Sequence, residues 1–359
     1  MTATPVCWCG NYELSSFSNT YLLCANCQTL VLREWPEERI FAVELDERDF
    51  YGKSYWFEHQ ENDLRFGNIV NRARTDLPER VLHWLRTLLK YKCPPGSTLE
   101  LGCSHGGFVS ILRWAGFEAS GLELSPWVVD FANQAFQIPM HQGKLEDQNI
   151  EPASLDAIVL MDVLEHLPDP VATITAAAGL LKEDGILIVQ TPAYPEGLSF
   201  NRLQDENNPF LLMFQPPEHV YLFSQSSIRQ FLDRCNLPYI QFEPAFFSQY
   251  DMFFVASRNP LNTNPSDAIE QALLSTPGGR LVLALLDKNA ESIDLKERLQ
   301  EAETDRAARW EQIVQYDSWL KESRRELEET RQMLSETHRK LEKITSSALY
   351  KAGKRMGLF

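Results

Sequence analysis

Residues 98–125 read TLELGCSHGGFVSILRWAGFEASGLELS, and their pattern decides the fold class. Thr98 to Leu101 is a short apolar run of strand type. It breaks at Gly102, and a helical pattern of Phe108, Ile111 and Leu112 starts directly after Gly106 and Gly107. About twenty residues past the turn, a second short run from Ala119 to Leu124 holds Glu123 near its end. Strand, tight turn, helix and a following acid make a nucleotide cradle. Glycine lets the backbone approach the ligand, the helix N-terminus offers free N–H groups, and a carboxylate accepts both ribose hydroxyls. The candidate ligand contacts are Glu100, Gly102, Cys103, Ser104 and Gly106 around the turn, with Glu123 and Leu124 beyond it.

The glycine spacing separates two ligand classes. A dinucleotide fingerprint is G-x-G-x-x-G, with the pyrophosphate on the helix N-terminus. Here the spacing is Gly102-x-x-x-Gly106-Gly107, preceded by Glu100 inside the strand. An acid there repels a pyrophosphate and suits a ligand with a cationic amino group. In this the stretch resembles the class I S-adenosylmethionine-dependent methyltransferases, whose usual turn is [DE]-x-G-x-G-x-G; Ser104 stands where that pattern has its middle glycine.

Three further blocks resemble one subgroup of that family, the one related to ubiquinone-biosynthesis and sugar methyltransferases. DAIVLMDVLEHLPDP (156–170) looks like its fourth strand and following loop, GILIVQTP (185–192) like its fifth strand, and PEHVYLFS (217–224) like the segment that opens the substrate side. The likeness covers residues 50–257. It implies a doubly wound, Rossmann-like α/β sheet with S-adenosylmethionine as cofactor, and it places Leu145 and Glu146 beside the adenine. Met161 and Asp162 close the fourth strand, at the sheet edge where open α/β folds bind ligands, so they are expected beside the methionine part. In the resembled sugar C-methyltransferases a Glu-His pair removes the proton next to a ketone. The resemblance therefore implies His219 as general base, positioned or assisted by Glu218.

At 359 residues two or three units are expected, and a hydrophobic fraction of 44 % is ample for a core. The formal charge of −16 repels a phosphate backbone, which excludes nucleic acid as the main partner and favours a small polar acceptor. Residues 1–30 show no basic segment followed by an apolar run. The longest apolar runs, such as Leu281–Leu286, fall far short of the ~20 residues of a membrane span, so a cytoplasmic location is expected.

Cys7, Cys9, Cys24 and Cys27 cluster near the N-terminus, while Cys93, Cys103 and Cys235 are scattered. The spacing C-x-C-G…C-x-x-C resembles a zinc ribbon with one short knuckle, in which two turns present thiolates to one tetrahedral structural zinc. Unmetallated reduced thiols and redox chemistry are the alternatives. Four closed ligands leave no catalytic role.

Onward from the ribbon, Tyr51, Tyr55, Trp56 and Phe57 crowd into seven positions. In the resembled subgroup such a segment closes over the cofactor; capping of the sheet is the other reading. Leu77–Lys92 has a helical stripe and stops before Pro94-Pro95-Gly96. Glu165-His166 has the makings of an acid–base pair, but in the resembled subgroup this dipeptide starts a helix and fixes the loop. The long connection 193–216 is expected to build the acceptor pocket.

NPLNTNP (259–265) is a linker by composition, and beyond Asp287 heptads appear. Leu299, Arg306, Ile313, Leu320, Leu327, Leu334, Leu341 and Ala348 form one row, and a largely polar companion row starts at Leu295. A coiled coil over 292–346 would span about 80 Å at roughly 1.5 Å per residue. It is expected to pair with itself or with a partner helix. Lys351, Lys354 and Arg355, beside Leu349, Tyr350, Leu358 and Phe359, would touch an anionic membrane surface weakly or form a solvated tail.

The expected organisation is a ribbon (1–33), a methyltransferase domain (34–258), a linker with a short helix (259–290), a coiled coil (291–348) and a basic, apolar tail. The expected function is methyl transfer to a sugar or glycan-linked acceptor in surface polysaccharide or deoxysugar assembly. An O-methyltransferase of a lipid or aromatic molecule is the alternative within the class. A coiled-coil scaffold with a degenerate methyltransferase domain is the alternative outside it.

Overall fold

The computed structural model describes residues 5–63 and 67–358; Phe359, counted above with the tail, lies outside them. The chain divides into two compact units, Met1–Asn289 and Ala290–Phe359.

The first unit opens with three short strands, β1 (Leu14–Ser16), β2 (Tyr21–Cys24) and β3 (Leu30–Leu32). The main sheet follows with β4 (Ser97–Leu101), β5 (Glu118–Glu123), β6 (Met140–Gln142), β7 (Leu155–Met161) and β8 (Leu181–Pro192). Next come β9 (Tyr221–Leu222), β10 (Tyr239–Glu243) and β11 (Asp251–Ser257). The seven-stranded sheet has the order β6-β5-β4-β7-β8-β11-β10. Strands β4 to β8 pair in parallel, and β11 is antiparallel to both its neighbours. The mixed α/β architecture with a parallel-dominated sheet is the one expected from the sequence.

Strand β4 pairs with β5 on one side and β7 on the other, so the chain winds outward in both directions from it. The crevice at its carboxyl end is a topological switch point, where open α/β sheets hold ligands. Alternation along β7 covers both faces of the sheet. Ile158 and Leu160 enter one core with Leu99 and Leu101; Ala157, Val159 and Met161 enter the other with Phe108 and Leu112. The helices that clothe these faces start on sequence signals. Ser125 Oγ accepts the Val128 N–H (3.2 Å) ahead of Pro126–Phe136, and Asp169 Oδ1 accepts the Ala172 N–H (3.0 Å) ahead of Pro170–Leu180. Such caps contribute ~1 kcal/mol each.

The segment 217–224 does something the sequence does not announce. Its strand β9 leaves the main sheet and completes a second, antiparallel sheet in the order β1-β2-β3-β9, with Leu30 opposite Leu222 and Val31 opposite Tyr221. The Leu32 N–H donates to Val220 O (3.0 Å), and the buried Tyr21 hydroxyl donates to His219 O (2.8 Å). Trp8 packs edge-on against Phe231, with centroids 5.3 Å apart. The cysteine-bearing segment is therefore built into the same compact unit as the main sheet.

Residues 266–289 also belong to this unit. Leu273 of helix Ser266–Leu274, and Val282 and Leu286 at the start of helix Pro277–Ser346, are buried in the second core. In the second unit the same helix continues to Ser346. Ser347 then caps a short helix, Ala348–Arg355, by accepting the Tyr350 N–H (3.3 Å). Leu299, Ile313, Leu320, Leu327, Leu334 and Leu341 recur along the long helix and are all exposed. Exposed i,i+4 pairs such as Asp305–Arg309 (2.8 Å) and Asp317–Lys321 (2.7 Å) flank them, each worth a few tenths of a kcal/mol. No helix among the described residues is long and apolar enough to cross a membrane.

Candidate active site

The cradle turn has the backbone its residues require. Gly102 (φ +64°) and Gly106 (φ +79°) are left-handed; a Cβ on Gly102 would lie 2.6 Å from Val163 Cγ2, and one on Gly106 would run into Ile138. Ser104 adopts φ +49°, so a small polar residue takes the conformation that a glycine would have. Glu123 holds the turn from below, its carboxylate accepting the N–H groups of Ser104 (3.1 Å) and Leu124 (2.8 Å). Two buried polar atoms here lack a partner among the described residues, Glu100 Oε2 and Ser104 Oγ, as does Thr98 Oγ1 further back in β4. Burial, reinforced by the nearby Glu123, pushes the Glu100 carboxyl well above the ordinary carboxylate range.

Beyond the turn opens a cleft shared between the ends of β4, β7, β8 and β11 and residues from 55–60 and 213–219. Asp162 follows β7 at φ +59°, its Oδ1 accepting from Gln190 Nε2 (2.9 Å), whose Oε1 in turn accepts from the Trp84 indole N–H (3.0 Å). Glu165 and His166 lie in a single 3-10 turn, Leu164–His166, and the next helix starts only at Pro170. The expectation that this dipeptide starts a helix is thus corrected: Pro168 and the Asp169 cap delay the helix and leave both side chains at the cleft. Glu165 Oε2 accepts from the Thr191 hydroxyl (2.9 Å).

His219 is buried against His166, ring centroids 4.8 Å apart. Its Nδ1 lies 2.8 Å from Met213 O, and a carbonyl only accepts, so the proton sits on Nδ1 and Nε2 keeps its lone pair. Burial lowers its pKa to about 4. The Glu218 carboxylate turns elsewhere: Oε2 accepts from the Tyr55 hydroxyl (3.0 Å), and Oε1 lies 2.5 Å from His59 Nε2. The Met213 carbonyl, and not Glu218, therefore orients the His219 ring. On the far wall Asp251 is pushed up to about 9 by burial and then by Asp162 and Glu165. Ligand atoms of Glu165, His166 and His219 come within 4.8 Å of one another.

Residues 73–241 match the family model of a methyltransferase domain. The ubiquinone biosynthesis O-methyltransferase of Xanthomonas campestris pv. campestris is 31 % identical over 146 residues, covering 37 % of this chain and 61 % of that protein. Its counterpart in Xanthomonas axonopodis pv. citri is 33 % identical over 154 residues, covering 39 % and 64 %. The chain thus spans less than two thirds of the length of these relatives. Among solved structures, magnesium protoporphyrin IX methyltransferase from Synechocystis with bound SAH aligns at a TM-score of 0.41 and 20 % identity, over 58 % of this chain and 98 % of that one.

The first unit brings Glu100, Gly102, Cys103, Ser104, Met161, Asp162, Glu218 and His219 to one cleft. Gly106, Glu123, Leu124, Leu145 and Glu146 are not among its lining residues. Leu145 points into the core, and Glu146 accepts from the Thr173 hydroxyl (2.5 Å) on the helix after β7. The residues at the turn fit S-adenosylmethionine. The orphaned Glu100 Oε2 is an acceptor without a donor, which a ligand's ammonium group supplies, and the glycine turn leaves the backbone approachable.

Sequence reading missed His59, Gln190, Trp84 and Asp251. Only His59 left a signal, the four-residue spacing Tyr51-Tyr55-His59. The aromatic segment reaches the cleft through Tyr55 and Trp56.

The four N-terminal thiols converge outside the cleft, all sulfurs within 4.8 Å of one another. Cys7 and Cys27 are 3.3 Å apart, and Cys9 and Cys24 are 3.7 Å apart. The Cys7–Cys27 contact drives the two thiols in opposite directions, Cys7 upward and Cys27 down to about 5, as in a pair sharing one proton. The short Cys7-x-Cys9 knuckle is accommodated by Gly10 (φ +85°), whose N–H returns to Cys7 O (2.8 Å).

Proposed function

We propose that the domain transfers the methyl group of S-adenosylmethionine to a hydroxyl-bearing small molecule, with His219 Nε2 as general base. The observation that carries this is the state of His219: a neutral imidazole fixed by Met213 O, with its second nitrogen unprotonated at neutral pH in the cleft that Glu100 and Asp162 also line. A sulfonium already makes its methyl electrophilic. The protein has to align acceptor oxygen, methyl carbon and sulfur and to take one proton.

Two kinds of hydroxyl are supported by different observations. The Xanthomonas relatives support an aromatic or lipid-like acceptor. The sugar or glycan acceptor rests on the sequence resemblance, in which a cysteine-rich segment precedes the methyltransferase blocks. Mass spectrometry of glycan and lipid extracts incubated with the protein and S-adenosylmethionine tests this. One added methyl group, with equimolar S-adenosylhomocysteine, is expected in one of the two extracts. Cofactor binding without any product would instead support the scaffold reading.

The four thiols are proposed to hold a structural zinc. A tetrahedral ion with bonds of about 2.3 Å needs sulfur–sulfur distances near 3.8 Å, and the observed 3.3 and 3.7 Å are close to that. The exposed Leu299–Leu341 row is proposed to pair with a second copy. Sedimentation of the full chain as a dimer, against a monomer when cut at Asp287, is the expected outcome.

A further inference from the structure

Tyr51, Tyr55 and His59 follow one another at intervals of four residues, and all three direct their polar tips to the same wall of the cleft. Tyr51 Oη lies 3.0 Å from His166 Nδ1. The Tyr55 hydroxyl donates to Glu218 Oε2 (3.0 Å), and His59 Nε2 meets Glu218 Oε1 at 2.5 Å. Their rings pack along the row, Tyr51 edge-on to Tyr55 with centroids 5.1 Å apart and Tyr55 tilted against His59 at 5.3 Å. Glu218 is 3 % exposed, so both its oxygens sit on these donors inside the protein rather than in water.

The same segment is tied down at its other end to the cofactor wall. Asp46 accepts from Ser125 Oγ (2.7 Å) and from the Trp127 N–H (3.0 Å), at the start of the helix that follows Glu123. Phe57 packs on Trp127, centroids 5.2 Å apart. Residues 46–59 thus bridge the cleft from the strand end that holds Glu123 to the loop that holds His219. Tyr55, Trp56 and Gln60 form part of its lining.

We propose that Tyr55 and His59 are positioning residues that latch this strap onto Glu218, and that the latch sets how long the adenosyl cofactor stays bound. The inference rests on the reading of the cleft as the cofactor site. A buried carboxylate needs its donors, so lifting the strap strips Glu218 of two charge-assisted bonds at once. Closure and the orientation of Glu218 are therefore one event. That gives Glu218 a task distinct from assisting His219, whose ring is already held by Met213.

S-adenosylhomocysteine is a usable probe because no acceptor is needed. Its dissociation is followed by stopped-flow fluorescence, with Trp56 in the cleft as reporter. Tyr55→Phe and His59→Leu are each expected to speed dissociation about tenfold, the double variant more, while association changes by less than about threefold. His59→Gln places an amide Nε2 where the imidazole Nε2 stands and is expected to restore near-native dissociation. That rescue separates lost positioning from a damaged fold. Dissociation from the double variant within about twofold of wild type overturns the latch alone. A wild-type protein that binds no S-adenosylhomocysteine overturns the cofactor reading and the latch together.

Discussion

The two walls of the cleft are built in opposite ways. The cofactor wall comes from one contiguous stretch: β4, the Gly102–Gly106 turn, the helix Gly107–Ala115 and β5. Its geometry is backbone geometry, fixed by positive φ angles and by Glu123 clasping two N–H groups of its own neighbourhood. The opposite wall, which the proposed function assigns to the acceptor, draws on residues 55–60, 162–166, 213–219 and 251, and side-chain contacts hold it together. Tyr55 and Glu218 are 163 residues apart, Trp84 and Gln190 are 106 apart, and Tyr21 and His219 are 198 apart. A wall made of backbone should fail all at once when one residue is changed. A wall made of side chains should lose chemistry while still binding cofactor.

The largest effect is expected on the first wall. Gly102→Val adds a Cβ 2.6 Å from Val163 at a φ of +64°. Left-handed strain and overpacking together cost about 3 kcal/mol or more, which corresponds to a loss of cofactor affinity of over a hundredfold. Calorimetry with S-adenosylmethionine measures it, and native affinity in this variant would break the comparison. On the second wall, His219→Asn keeps a hydrogen-bonding group but cannot take the proton. Turnover should fall by roughly a hundredfold with cofactor affinity unchanged. The wild-type acid limb should follow the lowered pKa, about 4, and not the ordinary value of 6.5.

This difference in construction explains what the sequence shows. The cradle is legible because Gly102, Gly106 and Glu123 lie within one strand-turn-helix-strand unit, and the spacing is the structure. Apolar runs such as Leu155–Met161 likewise announce a strand buried on both faces. Gln190 and Asp251 carry no local pattern that ties them to a site; their roles exist only once β8, β11 and the strap meet. The Glu218-His219 pair is adjacent in sequence, yet its two side chains face different partners, because the turn before β9 directs Glu218 to the strap and His219 to Met213. Leu145 and Glu146, which the resemblance places beside the adenine, lie in a 3-10 turn whose side chains face the core and Thr173.

A smaller effect should reach the acceptor wall from outside the cleft. The Tyr21 hydroxyl and the β3–β9 pairing hold the backbone of residues 219–222, and both belong to the sheet that bears the four cysteines. If those cysteines hold zinc, chelation should loosen β9 and lower turnover, with cofactor affinity within about threefold of native. Hydrogen exchange should rise at residues 219–223 and stay unchanged at residues 98–107. Equal loosening of both would show that the walls are not independent. Metal analysis giving well under one zinc per chain would remove the premise.

The smallest effect is a gain in stability from the least satisfied acid of the acceptor wall. Asp251 is pushed up to about 9 from the ordinary 3.8 because burial and the nearby Asp162 and Glu165 oppose its charge. Between these two values the native state keeps a proton that the unfolded chain releases. The stability contributed by protonated Asp251 is therefore complete below pH 3.8 and declines as pH rises toward 9. An asparagine side chain at this position has no proton to lose. Asp251→Asn should melt a few degrees above wild type at about pH 8 and together with it at about pH 4.5. S-adenosylmethionine sharpens the test, since a bound cation relieves the crowded carboxylates and should narrow the gap at the higher pH. A gap that is the same at both pH values, with and without cofactor, would mean that the substitution acts through packing and not through charge.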